Sequence, residues 1–339
     1  MVMTTVPDDD SFRLPVAVTG ASGHLGANLV RALLADGRHV RVLVRKSSKG
    51  LDGLPVEVAY ADVLDEGSLA RALAGSGSVY HLAAKGSAGW EPSQSVSQVN
   101  VVGTGNVVKA CLATKVRRLV HFSSIQALAP RPGESTIDEG SPLVQLGARD
   151  HGVYDRAKAE GERLVLAAED LDTVIVNPTS VIGPYDFQIS PMGEFLLALA
   201  HGKLPALISG ASHDFVDVRD VVSAALVAER QGRRGQRYVL SGTSMSIVEL
   251  ARLWAAVTGR PAPRLAAPMW LARLAAQFAP SWARLRRRRP LFTSDSLRML
   301  AAGHRVSRRK AEEELGYHPR PVVETLRDIH AFMKQENRL

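Results

Sequence analysis

Short apolar runs rich in β-branched residues alternate with helical patterns along the first half of the chain, and this alternation limits the possible folds more than any other feature. The helical patterns have apolar residues three and four positions apart. Strands that alternate with helices at this spacing form parallel βαβ units, which pack into a doubly wound α/β sheet. The strand-like runs lie at 14–18, 39–44, 56–60, 78–83, 118–122 and 172–176, and a later one lies at 237–240.

The same alternation predicts how the chain is divided. We expect a Rossmann domain with a parallel sheet at 12–185, to which elements at about 214–240 return, because the strand-like runs fall there. Prolines punctuate the later sequence, so 186–213 and 241–339 are predicted to form a smaller C-terminal substrate-binding cap. Residues 1–11 are expected to be disordered.

Composition is that of an ordinary soluble globular protein, since 45% of the 339 residues are hydrophobic and 22% are charged. The first eleven residues have no apolar stretch, and no apolar segment is long enough to span a bilayer, so we expect a cytoplasmic location. The single Cys111 is expected to be a small buried hydrophobic residue, and no metal site is predicted because no Cys/His cluster has ligand spacing. A net charge of +8 suits an anionic partner, but no nucleic-acid recognition motif accompanies it.

Three glycines follow the first strand-like run, in the sequence VTGASGHLG at 18–26. At the first βα turn of a Rossmann sheet, glycine lets backbone amides approach a pyrophosphate where a Cβ atom would collide. The spacing of Gly20, Gly23 and Gly26 is GxxGxxG and not the dehydrogenase form GxGxxG, so a turn that binds nothing is the alternative. The strand, turn and helix context favours a dinucleotide site.

The end of the second strand-like run predicts which dinucleotide is bound. Sites that prefer NAD place Asp or Glu there against the ribose 2′-hydroxyl, whereas an arginine accommodates a 2′-phosphate. This chain has Val44, Arg45 and Lys46 at that point and no carboxylate nearby. NADP(H) is therefore the predicted cofactor, and a solvated basic strand end is the alternative.

Tyr154 and Lys158 are candidates for acid–base chemistry. They lie four residues apart at the start of a predicted helix, so they share one helix face. Because a lysine ammonium beside a phenol favours the phenolate, we expect a lowered pKa for Tyr154. Ser123 and Ser124 follow the strand at 118–122, on the carboxyl edge of the sheet. A hydroxyl there could hold a substrate carbonyl oxygen or, alternatively, satisfy turn amides.

Eight sequence elements occur in the order typical of the extended short-chain dehydrogenase/reductase family, which the chain resembles from about residue 14 to 240. Its dihydroflavonol reductase-like, hopanoid-associated epimerase-like and 3β-hydroxysteroid dehydrogenase-like members are the most similar. Agreement among so many elements disfavours a glycine turn that binds nothing. The elements are TGASGHLG at 19–26, Arg45, YADV containing Asp62, HLAA at 81–84, QVNVVGT containing Asn100, SSI at 123–125, YDRAK at 154–158 and NPTSVIGP at 177–184.

The resemblance implies roles for individual residues. Tyr154 corresponds to the general acid/base, and Lys158 to the residue that binds the nicotinamide ribose and tunes Tyr154. Ser124 corresponds to the catalytic serine, and Asn100 to a helix asparagine that shapes the site. Asn177 departs from the arginine of many members, and Lys85 has no assigned role. The residues expected to bind the cofactor are Gly20, Ser22, Gly23, His24, Leu25, Gly26, Arg45, Lys46, Asp62, Val63, Leu82, Ala83, Ala84, Lys158, Pro178 and Val181.

We expect an NADPH-dependent oxidoreductase that reduces a ketone or aldehyde on a small to medium, hydrophobic substrate, or catalyses the reverse oxidation. Nucleotide-sugar epimerases of the family hold NAD tightly and usually have an acidic residue where Val44 stands, so Arg45 favours net reduction. An NAD(P)-dependent nucleotide-sugar epimerase/dehydratase is the alternative, with Arg219, Arg298 and Arg305 as candidate phosphate ligands. A non-catalytic NADP redox sensor is a further alternative, which the acid–base residues disfavour.

The cap sequence contains an amphipathic stretch. Bulky apolar residues recur at 270, 274, 278 and 282, and RLRRRRP follows at 284–290. We consider 269–289 a candidate contact with an anionic membrane surface, and a core-packed helix followed by solvated arginines is the alternative. The family resemblance also implies a homodimer through the helices at 94–114 and 152–170.

Overall fold

Seven strands form one sheet in the computed structural model, which describes residues 14–46, 49–86, 93–148, 150–272, 274 and 304–339. The strands are β1 (Val16–Thr19), β2 (Val40–Val44), β3 (Glu57–Tyr60), β4 (Ser78–His81), β5 (Arg118–Phe122), β7 (Asp172–Pro178) and β11 (Gln236–Leu240). Their order is β11-β7-β5-β4-β1-β2-β3, and each neighbouring pair is parallel. The predicted α/β Rossmann fold is confirmed.

Helices cover both faces of this sheet. Because successive strand residues point to opposite faces, Val16 and Val18 pack with the helices at 24–35 and 218–231, whereas Ala17 packs with those at 66–73, 103–113 and 153–166. Cys111 is fully buried on the Ala17 face, as predicted, and burial raises the pKa of its thiol to about 12. The helices on the two faces are α1 (His24–Ala35), α2 (Glu66–Leu73), α3 (Ser93–Ser97), α4 (Gly103–Ala113), α5 (Val153–Leu166) and α7 (Val218–Gln231).

A separate core is formed by elements that follow β7 in the chain. It includes a three-stranded sheet of β8 (Ser180–Ile182), β10 (Ser212–Asp217) and β12 (Thr243–Ser246). Trp254 at its centre is 1% exposed and donates from Nε1 to the carbonyl oxygen of Leu196 at 2.9 Å. The remaining elements around it are α6 (Pro191–Ala200), α8 (Ile247–Thr258), α10 (Val322–Gln335), and the paired strands β9 (Leu207–Ser209) and β13 (Ala266–Pro268).

One helix late in the chain packs on the large sheet, although the sequence prediction assigned it to the cap. Helix α9 (Arg309–Leu315) falls in the range assigned to the cap, yet it buries Ala311 and Leu315 in the core of the large sheet. Just before it, β14 (Arg305–Val306) pairs with β6 (Thr136–Ile137). A seven-residue helix with two apolar residues four positions apart needs a larger surface to pack on, and α7 with β11 provides it. The other domain limits stay a prediction, and residues 1–11 lie outside the described residues.

Candidate active site

The glycine turn after β1 packs so closely that side chains would not fit. Gly20 has a φ of +71°, and a Cβ atom on it would lie 2.6 Å from the backbone nitrogen of Ala83. A Cβ atom on Gly26 would lie 2.2 Å from the carbonyl oxygen of Gly20. Helix α1 then begins after Gly23 with no side-chain cap and no acidic residue in its first turn. Its first backbone N–H groups are therefore available to an anion such as a pyrophosphate.

Other residues of the turn connect it to the loop that follows β8. His24 donates from Nε2 to the carbonyl oxygen of Pro184 at 3.0 Å, and Asn28 donates from Nδ2 to the same oxygen at 3.0 Å. Ser22 is half-buried, and Leu25 packs against the large core. The side chain of His24 thus holds two loops together at the carboxyl edge of the sheet.

The predicted ribose and adenine residues follow the next strands of the sheet. Arg45 and Lys46 come directly after β2, are exposed, and make no hydrogen bond or ion pair with any residue that the structure describes. Asp62 follows β3 and accepts a hydrogen bond at Oδ1 from the backbone of Leu64 at 3.0 Å, and Val63 beside it is half-buried. Two uncompensated cations at a strand end suit an anionic group.

The segment after β4 borders the glycine turn. Leu82 and Ala83 are half-buried, Ala84 is exposed, and the backbone N–H of Ala83 donates to Thr19 Oγ1 at 3.3 Å. The predicted nicotinamide residues lie on the β4 side of the sheet, where the strand order continues from β4 through β5 to β7. There, Pro178 ends β7 in a buried position, and Val181 lies half-buried in β8.

Ser124, Tyr154 and Lys158 come together at the carboxyl end of β5. Ser124 lies close enough to Tyr154 to lower the pKa of its phenol, and Ser124 Oγ accepts a hydrogen bond from the backbone of Gln126 at 3.2 Å. Lys158 is 5% exposed and donates from Nζ to the carbonyl oxygen of Phe122 at 2.6 Å. The first turns of α5 therefore place a phenol and an amine beside a serine hydroxyl.

The expected lowering of the Tyr154 pKa is wrong for this structure. Burial raises the pKa of Tyr154 to about 12, and the Ser124 hydroxyl opposes this only in part. Burial also lowers the pKa of Lys158 to about 8, while Glu162 acts in the opposite direction. The reason is geometric, because the Lys158 ammonium faces the Phe122 carbonyl. Tyr154 is consequently a protonated phenol near neutral pH and can act as an acid.

Asn100 holds the segment after β4 and has no described contact with Tyr154. Its side chain accepts from the backbone N–H of Lys85 at 2.8 Å and donates to the Lys85 carbonyl at 2.9 Å. It lies in a π-helical turn, Gln98–Val102, between α3 and α4. A Cβ atom on Gly161 of α5 would lie 2.6 Å from the Asn100 carbonyl oxygen. Asn100 thus positions Lys85 and lies close to α5.

Carboxylates already surround one of the arginines proposed as phosphate ligands. Arg219 pairs with Asp217 at 2.7 Å and with Asp328 at 2.7 Å. Two carboxylates therefore neutralise this guanidinium, which sequence inspection did not foresee because Asp328 is distant in the chain. Arg305 is an exposed residue of β14, and Arg298 lies outside the described residues. The phosphate clamp stays a prediction, which the two ion pairs of Arg219 disfavour.

Only the first part of the predicted membrane contact is described, at 269–272 and 274. Trp270 is 63% exposed, Leu271 45% and Leu274 48%. The remainder of 269–289 lies outside the described residues. Within the described part of the chain, no helix has both the length and the apolar character needed to cross a bilayer. The same residues contain no cluster of three or more His, Cys, Asp or Glu side chains suited to a metal ion.

Four polar residues of this region, three buried and one half-buried, escaped the sequence analysis. Glu162 and Arg237 form an ion pair at 2.8 Å, and the rings of His81 and His121 lie 5.3 Å apart between their centroids. The sequence could have indicated Glu162, because it lies four residues after Lys158 on the same face of α5. The others depend on pairing between strands distant in sequence.

A family model described as the NAD dependent epimerase/dehydratase family matches residues 16–241. The chain belongs to this family, the extended short-chain dehydrogenases/reductases. It is 38% identical over 330 residues to Sterol demethylase protein B of Methylococcus capsulatus, covering 94% of this chain and 98% of that protein. It is 33% identical over 326 residues to a putative dihydroflavonol 4-reductase of Synechocystis, covering 93% of each.

A solved structure is similar to almost the whole chain. The crystal structure of gox2253 is similar with a TM-score of 0.81 and 30% identity, covering 96% of this chain and 99% of that one. The similarity to this solved structure therefore extends beyond the large sheet to most of the later part of the chain.

Proposed function

We propose that the protein is an NADPH-dependent reductase of a ketone or aldehyde group, working in either direction according to cofactor supply. One observation carries this proposal: Ser124, Tyr154 and Lys158 lie together at the carboxyl edge of the sheet, where Ser124 is close enough to influence the pKa of Tyr154 and Lys158 contacts the Phe122 carbonyl. Ligands of open α/β sheets bind at this edge. Family membership and the relative named a reductase support the same chemistry.

The described residues fit a dinucleotide. The cradle at Gly20 and Gly26 has no room for a Cβ atom, and the uncapped start of α1 offers N–H groups to a pyrophosphate. Arg45 and Lys46, exposed and without described partners, would hold a ribose 2′-phosphate, which supports NADPH over NADH. Asp62 and Val63 would meet the adenine, Leu82, Ala83 and Ala84 would line the cofactor, and Pro178 and Val181 would border the nicotinamide.

The chemistry requires a hydride and a proton. A bound nicotinamide supplies the hydride. Tyr154 gives its hydroxyl proton to the carbonyl oxygen, and its raised pKa keeps that proton in place until the oxygen becomes basic. The Ser124 hydroxyl would orient the same oxygen, and Lys158 would bind the nicotinamide ribose next to Tyr154. Holding these groups at contact distance replaces a bimolecular encounter by a bound geometry.

The epimerase/dehydratase reaction is the second candidate, because the matching family model carries that description. Such an enzyme needs cations for a substrate pyrophosphate. Arg219, one of the three candidates from the sequence, is neutralised by Asp217 and Asp328, which favours the reductase. Nicotinamide cofactor released on denaturation separates the two: tightly held NAD supports an epimerase, and an empty site that takes up NADPH supports a reductase.

Tyr154→Phe tests the acid. We expect kcat for NADPH oxidation, measured with a panel of hydrophobic ketones and aldehydes, to fall roughly 10²- to 10⁴-fold, because the proton donor is lost. Tyr60→Phe is the control, since Tyr60 is 69% exposed and has no assigned role. Turnover that survives in Tyr154→Phe would remove Tyr154 from the mechanism.

We also propose that the protein contacts an anionic membrane, from which an apolar substrate would enter. Leu265, Trp270, Leu271 and Leu274 are 45–69% exposed. Between Glu249 and Asp295 the sequence has nine arginines and no acidic residue, whereas the whole chain has 42 basic and 34 acidic residues. This one stretch thus carries the net positive charge, which favours anionic lipid.

Cosedimentation with vesicles tests this contact. We expect binding to phosphatidylserine vesicles, weaker binding for Trp270→Ala, and no binding to phosphatidylcholine alone. Equal binding by wild type and Trp270→Ala would contradict it. The homodimer through 94–114 and 152–170 and the cytoplasmic location stay predictions; sedimentation equilibrium tests the first and cell fractionation the second.

A further inference from the structure

One buried carboxylate beside the candidate active site has no role in the proposed reaction. Glu162 is 0% exposed and lies one helical turn after Lys158, so Tyr154, Lys158 and Glu162 form a row along one face of α5. An ionised carboxylate is unfavourable in the interior unless a counter-ion and hydrogen bonds compensate it. A buried Glu162 therefore requires a counter-ion and hydrogen-bond donors among its neighbours.

The counter-ion comes from the strand at the edge of the sheet. Arg237 of β11 places Nε 2.8 Å from Glu162 Oε1, and only 15% of the Arg237 side chain is exposed. The same guanidinium donates from Nη1 to the carbonyl oxygens of Glu139 and Ser141 at 3.2 and 3.1 Å. Arg237 is thus held from two directions, and it fixes the position of the carboxylate.

Asn177 connects this ion pair to the serine of the site. Asn177 is 0% exposed, and its Nδ2 donates to Glu162 Oε2 at 2.9 Å and to the Ser124 carbonyl oxygen at 3.1 Å. Both neighbours are acceptors, so the amide nitrogen must face them. The backbone of Ser124 therefore depends on the orientation of Glu162.

We propose that Glu162, Asn177 and Arg237 are positioning residues, which fix the backbone of Ser124 and hold a negative charge next to Lys158. This inference rests on the reductase proposed above. It gives a role to Asn177, which connects the ion pair of Glu162 and Arg237 to the backbone of Ser124.

The groups that face Lys158 show why the charge matters. They are Glu162 on its own helix, His81 on β4 and His121 on β5. Burial lowers the pKa of His81 to about 3 and lowers that of His121 as well, so both rings are neutral. Glu162 is the anion of this set, and it raises the pKa of Lys158 against the effect of burial.

Glu162→Gln tests the charge while keeping the side-chain size. We expect the alkaline limb of the kcat profile to move to lower pH, because Lys158 loses the carboxylate that favours its ammonium form, and kcat to fall by up to about 100-fold. KM for NADPH should change little. Glu160→Gln is the matched control, since Glu160 lies on the same helix and pairs with the partly exposed Arg163. A Glu162→Gln profile that overlaps the wild-type profile overturns the proposal.

A second readout needs no turnover. Asn177→Leu removes the donor to the Ser124 carbonyl, and we expect the amides of residues 124–127 to exchange with deuterium at least about 10-fold faster, while those of β1 and β2 stay unchanged. Unchanged exchange at 124–127 overturns the positioning role. If wild-type protein oxidised no NADPH with any carbonyl compound, the proposed function would fail, and the exchange result would still decide this inference.

A folding defect in Glu162→Gln is controlled by a double variant. Glu162→Gln with Arg237→Met removes both charges, so no buried ion is left alone. We expect its melting temperature to return toward the wild-type value while the alkaline limb stays displaced. Recovery of both properties would show that Glu162 serves stability alone.

Discussion

Two buried glutamates at opposite edges of one sheet differ in how many hydrogen bonds their carboxylates accept. At the amino edge, Glu229 of α7 is 2% exposed and accepts hydrogen bonds from Arg38 at 3.0 and 3.2 Å, from Tyr80 at 3.0 Å and from Ser78. At the carboxyl edge, Glu162 shares its oxygens between one amide and one guanidinium. The first arrangement closes on itself, whereas the second extends to Ser124.

Buried polar atoms without a hydrogen-bond partner show the same difference among the described residues. Both ring nitrogens of His121, Ser123 Oγ and Asn177 Oδ1 lack one at the carboxyl edge. Glu162 Oε1 lacks one as well, although it forms the ion pair with Arg237. Those at the amino edge, Arg38 Nε and Asp172 Oδ1, belong to side chains whose other atoms form ion pairs. Unsatisfied buried groups reduce stability, so their concentration beside Ser124 and Lys158 is typical of a region that serves chemistry.

Glu229→Ala should have the largest effect on stability. It leaves the Arg38 guanidinium buried without its carboxylate, and we expect a loss of about 3–5 kcal/mol in the free energy of unfolding, measured with urea. NADPH turnover per folded molecule should not change. Glu66→Ala is the exposed control, since Glu66 pairs with Lys109 at the surface. A loss of less than about 1 kcal/mol, which is typical of a surface ion pair, would remove the contrast between the two edges.

Arg45→Ala should change binding and leave stability alone. Because Arg45 is exposed at the end of β2, we expect an unchanged melting temperature and a Kd for NADPH raised about 10- to 100-fold, with the Kd for NADH unaffected. Fluorescence titration measures both constants. Lys109→Ala, a surface cation of α4, is the control for charge alone. Equal weakening for the two cofactors would argue against recognition of the 2′-phosphate.

Lys158→Met should stabilise the protein near neutral pH, which is the opposite of Glu229→Ala. The pKa of Lys158 is about 8 when folded and near 10.5 when unfolded, so folding disfavours its ammonium form. This cost is fully present below pH 8 and vanishes as pH rises through 10.5. After loss of the hydrogen bond to Phe122, we expect a net gain of about 1–2 kcal/mol at pH 7.

Urea unfolding of both proteins between pH 7 and 10 tests this sign. The difference between Lys158→Met and wild type should shrink with rising pH over this range, since wild type gains stability as its unfolded state binds the extra proton. A variant that is less stable than wild type at every pH would show that Lys158 is compensated like the groups of the amino edge.

Local patterns explain what the sequence could predict. Strand alternation and the glycine turn are properties of short segments, and the seven-stranded sheet and the close packing of Gly20 agree with them. The spacing of Tyr154 and Lys158 likewise predicted a shared helix face. It could not predict the direction of the Tyr154 pKa, because spacing contains no information on burial, and burial dominates that pKa.

Contacts between distant segments explain what was missed. Arg38 meets Glu229 from another region of the chain, and Arg237 reaches Glu162 only because β11 pairs with β7. Asp328 neutralises Arg219 in the same way. Each pairing depends on the order of strands and helices in space, which single-segment periodicity does not encode.

The position of Arg237 on the last strand of the large sheet has a consequence for synthesis of the protein. A nascent chain that has left the ribosome through β7 already carries Ser124, Tyr154, Lys158 and Glu162, but not the cation that neutralises this glutamate. Until β11 emerges, the carboxylate must stay hydrated and α5 cannot settle fully onto the sheet. We therefore expect an unfinished chain to be inactive until β11, its last parallel strand, has been made.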